Sequence, residues 1–167
     1  MVREILLLGD PRLYQVSSPV EREEIGILKA VVQDLHDTLI DFRKKYGLGR
    51  AIAAPQIGVF KRLIYMQINE PVVFVNPVLH FPDDELMEVL DDCMSFPGLL
   101  VRVKRYKRCI IQFKDLDFRD HELKLEGDLS ELLQHEYDHL DGILATMRAV
   151  DDKALYFKSP KMLLNEE

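Results

Sequence analysis

Residues 133–142 read LQHEYDHLDG, with His135 and His139 four apart and Glu136 directly after the first. On a helix, positions three and four apart are neighbours, so Leu132, His135 and His139 share one face. Imidazoles on an apolar face are costly to bury unless each finds a partner. A lone histidine there reads as a satisfied core residue. Two at this spacing, aimed at one point with a carboxylate alongside, read as metal ligands beside a general base. The fold must therefore bury this helix and bring a third ligand to it.

The helix is expected over Asp128–Leu140, with Asp128 as N-cap and Glu131 closing a capping box. Proteases with this histidine spacing take a third ligand from downstream. Here Gly142 is in place, but Ala145 stands where a histidine is needed, and the later glutamates are Glu166 and Glu167. The third ligand is expected upstream, among Cys93, Cys109, His36, His80, His121 or a carboxylate. His36, between Asp34 and Asp37, reads as solvated; His80 and His121 sit beside proline or acidic turns with no partner motif. Cys109 lies in an apolar run, where free cysteine usually serves as a small core residue. Cys93 sits in a loop, DDCMSFPG, that suits a deprotonated ligand approached by a second element.

Elsewhere, Arg22–Tyr46 carries Leu28, Val31, Val32, Leu35, Leu39 and Phe42 at helical spacing, with Gly47 as its stop. Runs Arg62–Ile68, Val72–Val75 (ending at Asn76-Pro77) and Cys109–Phe113 read as strands. Helix, several strands, then helix, without βαβ repetition, predicts an α+β fold. Its mostly antiparallel sheets would pack around the metal-binding helix of the C-terminal half, with a long helix near the N-terminus. The 167 residues suit a single domain, with 148–167 as a tail. Lys104–Arg108 (KRYKR) reads as a solvated strand edge. A net charge of −7 argues against direct nucleic-acid binding or an anionic membrane partner. Two cysteines make no disulfide framework, Met1–Leu8 holds too short an apolar run for a secretory signal, and no stretch would span a membrane. A cytoplasmic protein is expected.

Three motifs in order, GRAIAAPQIG (49–58), Cys93-Met94-Ser95-x-Pro97 and Gln134-His135-Glu136-x-Asp138-His139, resemble those of the peptide deformylases. Asp10-Pro11-x-Leu13, VVFVNP (72–77) and Leu140-Asp141-Gly142 extend the resemblance over roughly residues 4–147. It implies a metallo-amidohydrolase that removes the formyl group from the formyl-methionine end of nascent peptides, releasing formate. Cys93, His135 and His139 would hold one divalent metal, iron(II) natively, with zinc or nickel compatible. Glu136 would be the general base, with the Gln56 amide and the Met94 backbone N–H donating to the oxyanion. Gln134 and Asp138 would serve structure or orient a ligand. The implied partner is a formylated nascent peptide, met in transient association with the ribosome, lying extended with methionine in an apolar pocket. Alternatives are a related amidase or deformylase of shifted specificity, or a catalytically weak deformylase-like binding protein.

Departures from the usual motif forms cluster where substrate would lie. Arg50 replaces an apolar residue, Ala51 a glycine, Asp91 a glutamate and Asp92 a glycine. The metal, base and oxyanion groups are all retained.

Overall fold

The computed structural model describes residues 1–158. After an N-terminal arm with two short 3-10 turns, Ile25–Tyr46 forms helix α1. It begins three residues later than periodicity suggests, because Arg22–Glu24 winds as 3-10 helix. Gly47 ends it at φ 72°, donating to the Arg43 carbonyl, as a left-handed glycine cap does.

Strands β1 (Ala51–Ala53), β2 (Leu63–Gln67), β3 (Pro71–His80), β6 (Arg108–Lys114) and β7 (Asp120–Glu126) form one antiparallel sheet in the order β1-β2-β3-β6-β7. A second antiparallel sheet joins β4 (Leu86–Asp91), β5 (Leu99–Tyr106) and β8 (Leu155–Phe157) in that order. Helix α2 spans Asp128–Leu140 and contacts β1 and β7 of the first sheet and β5 of the second. The α+β reading, with sheets around the histidine-bearing helix, matches this architecture.

Alternation along β2 explains the packing. Leu63 and Tyr65 face α1, where Leu28, Leu35, Leu39 and Phe42 form the buried stripe. Ile64 and Met66 face the other way, joining Phe74 and Ile111 against Leu132, Leu133 and Leu140 of α2. The sheet is thus covered by a helix on each face, and burial on both sides fixes the register.

Three local expectations are corrected. β3 does not end at Asn76-Pro77: Asn76 takes φ 49°, and the register shifts between Val75 and Val78. A bulge there tolerates a residue that cannot donate to the ladder. Asn76 also accepts from the Val20 N–H at 2.7 Å and donates to its carbonyl at 2.9 Å, securing the N-terminal arm. The capping box at α2 is absent: Gly127, at φ 63°, occupies the cap position and Asp128 opens the helix. Within the expected tail, Leu155–Phe157 pairs with β5, while residues 159–167 lie outside the described residues.

Gly142, just after α2, sits at φ 70°, and a methyl there would lie 2.3 Å from the Tyr14 carbonyl oxygen. The turn after the histidine helix therefore closes directly onto the N-terminal arm. No helix among the described residues is long and apolar enough to cross a membrane.

Candidate metal centre and active site

β4 ends at Asp91, and Asp92–Gly98 makes the loop that carries Cys93 over α2. The Sγ of Cys93 lies 3.3 Å from His139 Nε2, which in turn is 3.2 Å from His135 Nε2. All three atoms fall within 4.8 Å of one another, and all three residues are buried. Ligand atoms sharing one tetrahedral ion, with metal–nitrogen and metal–sulfur bonds of ordinary length, are separated by roughly 3.3–3.6 Å. The cluster fits such an ion: one sulfur and two ring nitrogens converge at about these separations.

The other upstream candidates are engaged elsewhere. Cys109 is buried in β6, where burial pushes its thiol up. His80 meets Gln112 at 3.0 Å, and His121 meets Asp115 at 2.6 Å. His36 is half-buried rather than fully solvated: its Nδ1 lies 2.7 Å from the Tyr65 hydroxyl. Only Cys93, of the upstream candidates, joins the two histidines.

Asp91 supports the cluster from behind. Its Oδ1 stands 2.9 Å from His135 Nδ1, and its Oδ2 accepts from Arg105 Nη2 at 2.7 Å. Arg105 Nη1 donates to Asp138 at 2.7 Å, and Asp138 also accepts from Arg148 at 2.6 and 2.9 Å. Burial opposes charge on Asp91, yet His135 and Arg105 hold its carboxyl well below the usual carboxylate range. Burial likewise opposes charge on His135, but Asp91 and Cys93 raise it well above the ordinary imidazole value. Burial and the neighbouring His135 push His139 well below it.

Reading KRYKR as a solvated edge misses Arg105, whose side chain is only 3% exposed. The signal is present in the sequence, since Val101, Val103 and Arg105 continue one inward alternation along β5. Gln134 matches the structural role expected of it. It accepts from the Tyr106 N–H at 3.0 Å and donates to the Tyr106 carbonyl at 2.7 Å, fastening α2 to the end of β5.

Glu136 is buried beside His135 with its Oε2 left without a hydrogen-bond partner, and burial pushes its carboxyl up to about 7. Gln56 sits in a 3-10 turn after β1, almost fully buried. Its Oε1 accepts from the Ala53 N–H at 2.9 Å, which aims Nε2 at Ser95 Oγ (3.1 Å) and Cys93 Sγ (3.5 Å). Met94 lines the same cavity as Cys93 and packs into the α1 core.

That cavity has a volume of about 510 Å³ and is bounded by Arg50 and Ala51 of the β1 side, Asp91 and Asp92 of the β4 side, and Glu131, His135 and Glu136 of α2. Ala51 takes an ordinary strand conformation opposite Met66, so the methyl that replaces glycine imposes no left-handed strain. Arg50 stays 39% exposed at the cavity rim. It pairs with Asp128, and its Nη2 lies 3.8 Å from Glu131. Glu131, expected to cap the helix, instead faces Asp91, and burial together with that carboxylate pushes it up to about 8.

Comparison with known proteins agrees with this geometry. The family model for polypeptide deformylase matches residues 2–154. A peptide deformylase of Dictyoglomus turgidum is 36% identical over 156 residues, covering 93% of this chain and 97% of that protein. The crystal structure of peptide deformylase from Thermotoga maritima superposes with a TM-score of 0.81 at 31% identity, over 90% of this chain and 99% of that one. An Acinetobacter baumannii class I type b peptide deformylase, with Met-Ala-Ser bound, gives 0.80 at 27% identity over 89% and 98%. The chain belongs to the polypeptide deformylase family, hydrolases that remove the formyl group from nascent peptides.

Proposed function

We propose that residues 1–167 form one hydrolase domain in which Cys93, His135 and His139 hold a divalent metal ion, iron(II) in the cell, and Glu136 moves the proton. The observation that carries this is the convergence of one sulfur and two Nε2 atoms beside a buried carboxylate oxygen that has no partner. A bound divalent cation supplies Lewis acidity and a water acidified toward neutrality. Zinc or nickel would satisfy the same donor set.

The chain's own groups do the rest. An extended formyl-peptide would add its backbone between β1 and β4, each an edge strand whose residues bound the cavity. Glu136 takes the proton from the attacking water at its unpartnered oxygen. As the carbon–nitrogen bond breaks, it returns that proton to the departing amine, leaving formate and a free amino terminus. Gln56 Nε2, held by the Ala53 N–H contact on its other end, donates to the oxygen that gains charge, with the Met94 N–H as second donor. Asp91 holds the His135 ring from behind. The reaction would take place in the cytoplasm, on chains emerging from the ribosome.

The test uses protein loaded anaerobically with iron(II), or with zinc, and follows formate release from formyl-Met-Ala-Ser. Glu136→Gln is expected to bind one metal and lose turnover, whereas Cys93→Ala is expected to lose the metal. A Glu136→Gln protein that hydrolyses as fast as the parent removes the proton-transfer role assigned here.

A further inference from the structure

The loop Asp92–Gly98 carries both the Cys93 sulfur and the Met94 N–H, so whatever fixes this loop fixes the site. It leaves β4 at Asp92 and reaches β5 through Gly98. One residue from far along the chain touches both of its ends. Lys158, directly after β8, donates its backbone N–H to the Gly98 carbonyl at 2.8 Å and its ammonium to Asp92 Oδ2 at 3.2 Å. We propose that Lys158 is a positioning residue for the reaction, a staple across the loop that holds Cys93 and Met94 in register with α2. The proposal rests on the site reading above, which gives those two residues their roles.

The Lys158 side chain is only 6% exposed, although lysine is rarely buried without a partner. It lines the cavity together with Asp92, Pro97 and Gly98. Asp92 has no other side-chain partner among the described residues. The middle of the loop is held separately: Leu8 N–H donates to the Ser95 carbonyl at 2.8 Å, and Gln56 to the Ser95 hydroxyl. Its two ends are left to the flanking strands and to Lys158. The other ion pair at the rim, Arg50 with Asp128, is more open to water on both sides and does not touch the loop.

The two partners also answer each other in the sequence. Asp92 replaces the glycine usual before the ligand cysteine, and so brings a carboxylate next to the sulfur and into the cavity that Glu136 lines. Lys158 balances that charge and ties it to the strand that closes the second sheet. Asp92 is half exposed, so the pair adds little to global stability. A small displacement of a ligand or of an oxyanion donor, by contrast, is amplified in rate. The role should therefore be read in metal retention and kcat, with the unfolding midpoint unmoved.

The experiment is a double-mutant cycle on the full chain, with Lys158→Met, Asp92→Gly and the two combined. Lys158→Met keeps the side-chain length and the backbone N–H and removes only the ammonium. Release of bound zinc to a chromophoric chelator is expected to be about tenfold faster in Lys158→Met than in the parent. Turnover of formyl-Met-Ala-Ser is expected to fall about tenfold in kcat, with a smaller change in KM and an unchanged urea midpoint of the metal-free protein. In the Asp92→Gly background, adding Lys158→Met is expected to change either rate by no more than about twofold, because the partner is already gone. Parent-like metal release and kcat in Lys158→Met, an equal loss in both backgrounds, or a loss that follows the unfolding midpoint overturns the assignment. If the parent holds metal without turning over, the catalytic reading fails while metal release still decides the role of Lys158. If the parent holds no metal, both fail.

Discussion

Asp91 Oδ1 stands 2.9 Å from Nδ1 of His135, so the last residue of β4 holds the back of a ring whose front nitrogen faces Cys93 and His139. Aspartate is shorter than the glutamate usual at this position, yet it still spans His135 and Arg105 together. A carboxylate behind a ligand imidazole fixes its tautomer and raises its basicity. Asp91→Asn is expected to weaken metal affinity by about 10–100-fold. Competition with a chromophoric chelator measures this. Unchanged affinity would mean that the ring is held by packing alone.

Arg105 lies between two buried carboxylates, 2.7 Å from Asp91 and 2.7 Å from Asp138. Replacing it with methionine keeps volume but leaves both acids without their shared cation. Breaking a buried ion pair from one side costs about 3–5 kcal/mol. Arg105→Met is expected to lower stability by that order in urea unfolding, even in the metal-free protein. Combining Arg105→Met with Asp91→Asn and Asp138→Asn is expected to recover part of the loss, since neither carboxylate is then left without its shared cation. An Arg105→Met protein as stable as the parent would show that the network contributes nothing to folding.

Gln56 keeps its amide oriented through the Ala53 N–H and donates toward Ser95 and Cys93. Removing an oxyanion donor typically lowers kcat by about 10²–10³. Gln56→Ala is expected to show that loss with metal content unchanged, and with a smaller effect on KM than on kcat. A change confined to KM would place Gln56 in substrate binding rather than in stabilising developing charge.

Gly142 combines φ 70° with a carbonyl oxygen only 2.3 Å from where a methyl would stand. Both the strain and the overlap act in one direction, each worth about 1–3 kcal/mol. Gly142→Ala is expected to destabilise the protein by at least the lower figure and to loosen the N-terminal arm at Tyr14. Thermal unfolding and limited proteolysis near that arm are the measurements. A midpoint within experimental scatter of the parent would rule out the close packing described here.

Much of the fold could be read from periodicity. The stripe on α1, its glycine stop and the strands around Leu63–Gln67 and Arg108–Lys114 follow from local spacing. The strands β4 and β5 carried weaker signals, because their half-buried alternation is interrupted by charged residues such as Glu88 and Arg102, or Asp91 and Arg105, that pair across the structure, while β8 is three exposed residues. Asn76 shows the same limit in reverse: a dipeptide that locally signals a turn becomes a bulge when neighbouring strands supply the remaining ladder.

The chemistry divides along the same line. Spacing alone put His135, His139 and Glu136 on one helix, because helical geometry is local and repeats every few residues. Loop context favoured Cys93 over Cys109, but spacing could not close the loop of Asp92–Gly98 over α2 or bury Arg105 against Asp91 and Asp138, since those contacts join segments far apart in the chain. Nor could it show Glu131 leaving its capping role to face a cavity, where burial beside Asp91 decides its state. Dielectric surroundings and through-space neighbours belong to the folded molecule, and they set which of the encoded groups end up charged, paired or exposed to a substrate.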